Sequence, residues 1–137
     1  MATVEFKQVD VIFADDPRPA LRLLDAGRNR DEILEATGAV VGAADASIQV
    51  QPGQICVFMG LSGSGKSTQL RCVNGLNRAS RGQVLVDDSD GQVDIPMADP
   101  ATLRRLRTER IAMVFQQFAL LPWRTVRENV GFGLEIR

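Results

Sequence analysis

The sequence predicts an α/β domain, and three observations predict it. Ile55–Met59 (ICVFM) and Ile111–Phe115 (IAMVF) are short, continuously apolar runs of the kind buried on both faces of a parallel sheet. The first leads straight into a glycine-rich loop, MGLSGSGKST at 59–68, that opens a helix. Capped helical segments alternate with strand-like ones along the rest of the chain. At 137 residues the length fits one domain with a modest core. With 16 basic against 17 acidic residues, the charge implies neither a nucleic-acid partner nor a polyacidic tail.

Val4–Phe13 is rich in β-branched and aromatic residues and reads as a strand. Asp16 then caps a helix with Pro17 at its first position, and Gly27 stops it. Asn29 with Glu32 three residues on forms a capping box for a second helix, which carries Ile33 and Leu34 and ends at Gly38. Residues 14–43 are thus expected to be a two-helix segment between strands. Ala46–Val50 is a short strand and QPG at 51–53 a turn, after which the buried run Ile55–Met59 is expected as a strand.

Ser67–Val73 follows as a helix, with Leu70 and Val73 on one face, and Gln83–Val86 as another strand before the turn DDSDG. Asp99 caps a helix with Pro100 at its start, directing Leu103 and Leu106 inward and Arg104, Arg105 and Arg107 largely outward to solvent. Ile111–Phe115 is the second expected buried strand, and Thr125–Glu128 a capping box that opens the last helix. The two cysteines, Cys56 and Cys72, lie in apolar patterns without metal-ligand spacing, and the chain has no histidine; both are expected to be buried, reduced thiols. MATVEFKQVD lacks a secretory-signal pattern and no apolar run approaches a membrane span, which points to a cytosolic setting.

The loop Gly60–Ser67 (GLSGSGKS) fits the pattern GxxxxGK[ST] of a phosphate cradle. Gly63 and Gly65 lack a Cβ, so successive backbone N–H groups can face inward and approach phosphate oxygens closely. The following helix directs its free N–H groups and positive dipole end at the same point. Gly60, Leu61, Ser62, Gly63, Ser64, Gly65, Lys66, Ser67 and Thr68 are therefore the candidate nucleotide-binding residues. Lys66 supplies a point charge to β and γ phosphates, the Ser67 hydroxyl suits Mg²⁺, and Thr68 can donate to the α phosphate. A nucleotide with Mg²⁺ is the ligand this pattern implies, and the loop by itself does not distinguish a transporter, a kinase or a GTPase. GQVLVDD at 82–88 has the general form of a strand ending in a metal-binding aspartate, Asp87, although the DDSDG turn explains the acids without any metal.

A second signal, IAMVFQQFALLPWRTVRENVGFGL at 111–134, joins the cradle in resembling the nucleotide-binding subunit of an ABC transporter. The phrases DEILEATGAVVGAADAS, MGLSGSGKSTQLRCVNGLNRASRGQVLVDD and MVFQQFALLPWRTVRENV resemble the ATPase subunits of quaternary-ammonium importers for glycine betaine, proline betaine and choline. DDSDGQVDI and QQFALLPWRTVRENVGFGLE look closest to the choline branch.

The resemblance implies ATP with Mg²⁺ as the cofactor and a P-loop NTPase (RecA-like) fold, with N-terminal antiparallel β strands, a helical insertion at 14–43 and a core from Walker A to Q-loop at 44–137. Gln116 resembles the Q-loop glutamine that reaches Mg²⁺ and the attacking water, and is the candidate catalytic residue and second metal ligand. Phe13 falls at the A-loop aromatic that stacks on adenine. Phe118–Trp123 resembles the surface that meets transmembrane permease subunits; a second ATPase subunit and, indirectly, a periplasmic or extracellular substrate-binding protein are the other implied partners. The implied location is peripheral, on the cytoplasmic face of the inner or plasma membrane.

The family's LSGGQ signature, Walker B aspartate with catalytic glutamate, and switch histidine do not occur in these residues. The chain is therefore expected to correspond to the N-terminal portion, residues 1–137, of one nucleotide-binding domain, to bind ATP without hydrolysing it alone, and to leave strand edges unpaired. A self-contained small P-loop kinase or hydrolase using Asp87, or a non-catalytic nucleotide-binding module, remain the alternatives at this point.

Overall fold

A computed structural model describes residues 3–117 and 120–136. Its elements in order are β1 (Val4–Phe13), α1 (Arg18–Asp25), α2 (Arg30–Thr37), β2 (Val40–Val50), α3 (Lys66–Val73), β3 (Arg81–Asp88), β4 (Gly91–Asp94), a 3₁₀ turn (Ile95–Met97), α4 (Pro100–Glu109) and α5 (Val126–Glu135). The strands form one antiparallel sheet in the order β2-β1-β3-β4. β1 is central, with Phe6 opposite Ile48 on one side and Val84 on the other. Its register shifts between Lys7 and Asp10, where Gln8 takes a φ of 48°, so the sheet bends at its middle.

Two apolar clusters flank this sheet. Phe6, Val9, Val11, Ala43, Val84 and Val86 pack with Cys72 of α3 and Leu106 of α4. Ile12, Ala20, Ile33, Ala39 and Val41 fasten the α1–α2 hairpin to the far end of β1 and β2. The capping signals form as expected. Asn29 accepts from the Glu32 N–H at 2.9 Å while Glu32 returns the bond to the Asn29 N–H, and Gly38 closes α2 at φ 70°. Thr125 and Glu128 repeat the pattern at α5, and Asp99 accepts from Ala101 and Thr102 at α4. Asp16 accepts from the Arg18 N–H, but the cap position itself is Pro17.

The structure corrects the expectations about the buried strands. Residues 55–59 and 111–115 have no strand structure, and Ile55, Val57, Met59 and Val114 are exposed. A run buried on both faces needs neighbours to pair with, and among the described residues no strand lies beside either segment. Cys56, expected to be buried, is exposed for the same reason, whereas Cys72 is buried and its thiol is pushed up to about 11 by desolvation. β2 begins at Val40 and so takes up the end of the expected 14–43 insertion. Leu70, placed on the inner face of α3, is exposed, and the buried position is Cys72. β4 was not legible, because its four residues follow the turn that had seemed to end the strand.

The arginines of α4 are likewise not a plain solvated face. Arg105 forms a two-pronged pair with the buried Asp88, its Nη1 donating to Oδ1 at 3.1 Å and its Nη2 to Oδ2. Arg110 Nε adds a bond at 3.3 Å, and Arg107 Nε donates to the Asn74 carbonyl at 2.7 Å. These bonds tie α4 to the β3–β4 turn and to the end of α3.

The Arg105 guanidinium, helped by the Ser89 N–H and Arg110, holds the Asp88 carboxyl well below the usual carboxylate range. Its folded value lies below its unfolded one, so the stability it lends is present above the unfolded value and is lost as pH falls through the folded value. Asp88→Asn should lower the melting temperature at neutral pH and leave it less sensitive to acid between about pH 4 and pH 2. Melting curves of both proteins across that range check this; parallel curves would contradict it.

Candidate functional site

The glycine-rich loop joins the exposed segment 55–59 to α3, and it is seated on β2. Gly65 is the N-cap of α3 with φ 92°, and a Cβ built there would lie 2.1 Å from the Gly42 carbonyl oxygen. Only a residue without a side chain fits, on both conformational and steric grounds. Gly42 is itself constrained, since a Cβ there would meet Phe13 Cε2 at 2.6 Å and Thr68 Cγ2 at 2.9 Å. Phe13 lies opposite Val40 at the end of β1, half-exposed. The contact over Gly42 thus brings an accessible aromatic ring beside the first turn of α3.

Inside the loop, Lys66 Nζ donates to the carbonyls of Gly60 at 2.8 Å and Leu61 at 2.6 Å, and to Ser64 Oγ at 3.2 Å. The Ser64 N–H donates to the Leu61 carbonyl at 3.2 Å, closing a turn with Gly63 at φ 78° in its third position. Lys66, Ser67 and Thr68 form the first turn of α3, where backbone N–H groups have no helical partner. Ser62 and Ser67 are exposed. The donor set suits a polyphosphate: clustered N–H groups, an ammonium at the loop's centre, and hydroxyl oxygens for a hard cation. An open groove of about 690 Å³ runs from Phe13 past Thr37 and Gly38 to Asn77 and Arg78.

The other residues expected to serve the site fall elsewhere, or partly outside the described residues. Gln116 is exposed in an irregular segment and makes no hydrogen bond to the cradle among the described residues. Of the expected partner surface, Phe118 and Ala119 lie outside the described residues. Leu120 and Trp123 are exposed, and Asn129 of α5 stitches the loop by bonds with both backbone groups of Leu121 and to the carbonyls of Arg124 and Thr125.

Asp87 does not serve the cradle. Its N–H donates to the Thr3 carbonyl at the start of β1, while the cradle rests against Gly42 beside the other end, roughly 25 Å away along the strand. No group of three or more His, Cys, Asp or Glu side chains able to hold a metal forms among the described residues.

Sequence reasoning missed two residues of the site. Gly42 carried no signal, because it fell inside the segment 14–43 expected to be helical, whereas it lies in β2. Arg30 carried none either, yet its Nη1 donates to the Gly63 carbonyl at 3.3 Å, so the hairpin touches the crest of the loop.

Gly65→Ala and Gly63→Ala should separate the two uses of glycine. Nothing lies within 4 Å of a Cβ at Gly63, so alanine there should cost only the left-handed strain, about 1–2 kcal/mol. At Gly65 the clash with backbone adds to the strain, and the loss should reach about 3 kcal/mol or more. Denaturant unfolding measures both; equal losses would mean that the loop is not seated on β2.

ProV of Escherichia coli (strain K12), a glycine betaine/proline betaine transport system ATP-binding protein, is 46% identical over 97% of this chain and 32% of its own length. OpuAA of Bacillus subtilis (strain 168), a glycine betaine transport ATP-binding protein, is 41% identical over 98% of this chain and 31% of its own length. Among solved structures, the dimeric post-hydrolysis state of the ATP-binding cassette MJ0796 bound to ADP and Pi superposes with a TM-score of 0.71 at 26% identity, covering 97% of this chain and 47% of that one. The chain spans about a third of the length of these curated relatives. Residues 43–137, from the strand that seats the cradle onward, match the family described as ABC transporter, and it is to that family that this chain belongs.

Proposed function

We propose that this chain is the N-terminal portion, residues 1–137, of the ATP-binding and ATP-hydrolysing subunit of an ABC importer for a small quaternary-ammonium compound. The observation that carries the reading is the loop Gly60–Ser67, seated on β2 with Lys66 at its centre and Phe13 beside its helix. The N–H groups of Gly63 to Thr68 and the Lys66 ammonium would hold the phosphates of ATP, and Leu61 and Ser62 would shape the loop around them. Phe13 would face the adenine. Ser67 and Gln116 would be the protein's ligands to Mg²⁺, which supplies charge neutralisation when bound.

Glycine betaine, proline betaine and choline share a methylated cationic nitrogen, and the named relatives handle the first two. The choline branch is favoured by the wording of DDSDGQVDI and QQFALLPWRTVRENVGFGLE. The loop Phe118–Trp123 is the proposed permease contact, for which the exposed Leu120 and Trp123 ahead of α5 are suited, and a second ATPase subunit and a substrate-binding protein complete the proposed assembly. The proposed location is peripheral, on the cytoplasmic face of the inner or plasma membrane; no helix among the described residues is long and apolar enough to cross a membrane. In the proposed division of the domain, 14–43 is the helical insertion and 44–137 the stretch from Walker A to Q-loop.

The alternative of a small kinase or hydrolase complete in itself loses its metal acid, because Asp87 lies at the wrong end of β1. A non-catalytic binding module makes the same prediction for binding and differs only in the intact assembly.

Calorimetric titration with Mg·ATP should show binding without steady-state turnover by this chain. Lys66→Ala should weaken binding by about 1.5–3 kcal/mol, the scale of a hydrogen bond to a charged group. Binding insensitive to that change would overturn the cradle, and turnover above the mutant's background would place a catalytic acid within these residues.

A further inference from the structure

We propose that Arg30 of the α1–α2 hairpin is a positioning residue of the phosphate cradle, acting through the Gly63–Ser64 peptide. The inference rests on the reading of that loop as a phosphate site. Arg30 Nη1 donates to the Gly63 carbonyl at 3.3 Å across 33 residues of sequence. A trans peptide is planar, with its carbonyl and the next N–H pointing in opposite directions. Holding the Gly63 carbonyl toward the hairpin therefore fixes the direction of the Ser64 N–H, which at present closes the turn onto Leu61.

The loop is gripped by two cations from two sides. Lys66 holds the carbonyls of Gly60 and Leu61, and Arg30 holds that of Gly63. Gly63, at φ 78° and with nothing near a Cβ position, leaves its peptide held by two bonds, the Ser64 N–H to Leu61 within the loop and Arg30 from outside it. Without Arg30 the loop would spend more of its time in shapes whose N–H groups do not converge, and its apparent affinity would fall by that fraction.

The hairpin fixes the backbone from which this exposed side chain reaches the loop. Arg30 is the first residue of α2, immediately after the reciprocal cap of Asn29 and Glu32. Ile33, one turn on, is fully buried against Ile12, Ala20, Ala39 and Val41. Across the turn that joins the two helices, Asp25 at the end of α1 is bound by Arg81 Nη1 at 2.9 Å, and the same guanidinium donates through Nε at 2.6 Å to the buried Asp10 of β1. Coupling of this kind is reciprocal, so a ligand that orders the loop also orders the start of α2.

The test titrates the full chain with Mg·ATP and, separately, with Mg·tripolyphosphate, which has no base. Arg30→Ala should weaken both by the same factor, about fivefold for a charge-assisted bond in an exposed place. Arg30→Lys should recover most of the loss, and Arg28→Ala, whose guanidinium pairs with Glu32 on the hairpin, should bind both as the parent does. Hydrogen exchange at residues 29–33 should slow on adding Mg·ATP in the parent and not in Arg30→Ala. Unchanged binding by Arg30→Ala overturns the proposal, as does a loss confined to ATP or a loss matched by Arg28→Ala. Lys66→Ala separates the two readings: if it weakens both ligands while Arg30→Ala weakens neither, only the role of Arg30 falls, and if it weakens neither, the cradle falls with it.

Discussion

The contact on which the rest of this structure depends is backbone against backbone, where Gly65 closes on the Gly42 carbonyl with no room for a single carbon between them. It is the seat of the glycine-rich loop. Because Gly42 lies in β2 and β2 pairs with β1, the seat fixes the loop relative to Phe13, to the α1–α2 hairpin and, through β1, to β3. Thr68 and Phe13 meet over the same glycine, so α3 leaves the loop in a direction set by the sheet.

Charge reinforces the arrangement at both ends of the sheet. Asp10 and Asp88 are buried carboxylates, and each is held by arginine from a distant element: Arg81 for the first, Arg105 and Arg110 for the second. A buried carboxylate without such partners would be costly, so each pair constrains where its elements can sit. The Asp10 pair extends through Arg81 to Asp25 and so reaches the hairpin that touches the loop. The Asp88 pair locks α4 beneath the β3–β4 turn.

Much of this was legible in the sequence where the signal is local. Capping boxes at Asn29 and Thr125, the Asp99 cap and the helix stop at Gly38 depend on neighbours three or four residues away, and they form as read. The passage from the glycine-rich loop into α3 was legible for the same reason. What failed was tertiary. ICVFM and IAMVF have strand composition, but a strand exists only when another pairs with it, and these residues bring no partner to either run. The misplacement of Cys56 and Leu70 follows from the same want of neighbours on that side. Arg105 and Arg107 read as surface charge, and Arg30 carried no signal, because their partners, Asp88, Asn74 and Gly63, lie 17 to 33 residues away in the chain.

Residue-resolved hydrogen exchange on this chain without nucleotide is the most direct test of the seat on β2. Slow exchange is expected at paired amides of β1, β2 and β3, and fast exchange at 54–59 and 111–117. Protection at 54–59 equal to that of β1 would contradict the seat, because the loop would then hang from a strand buried in a parallel sheet and not from its contact with β2.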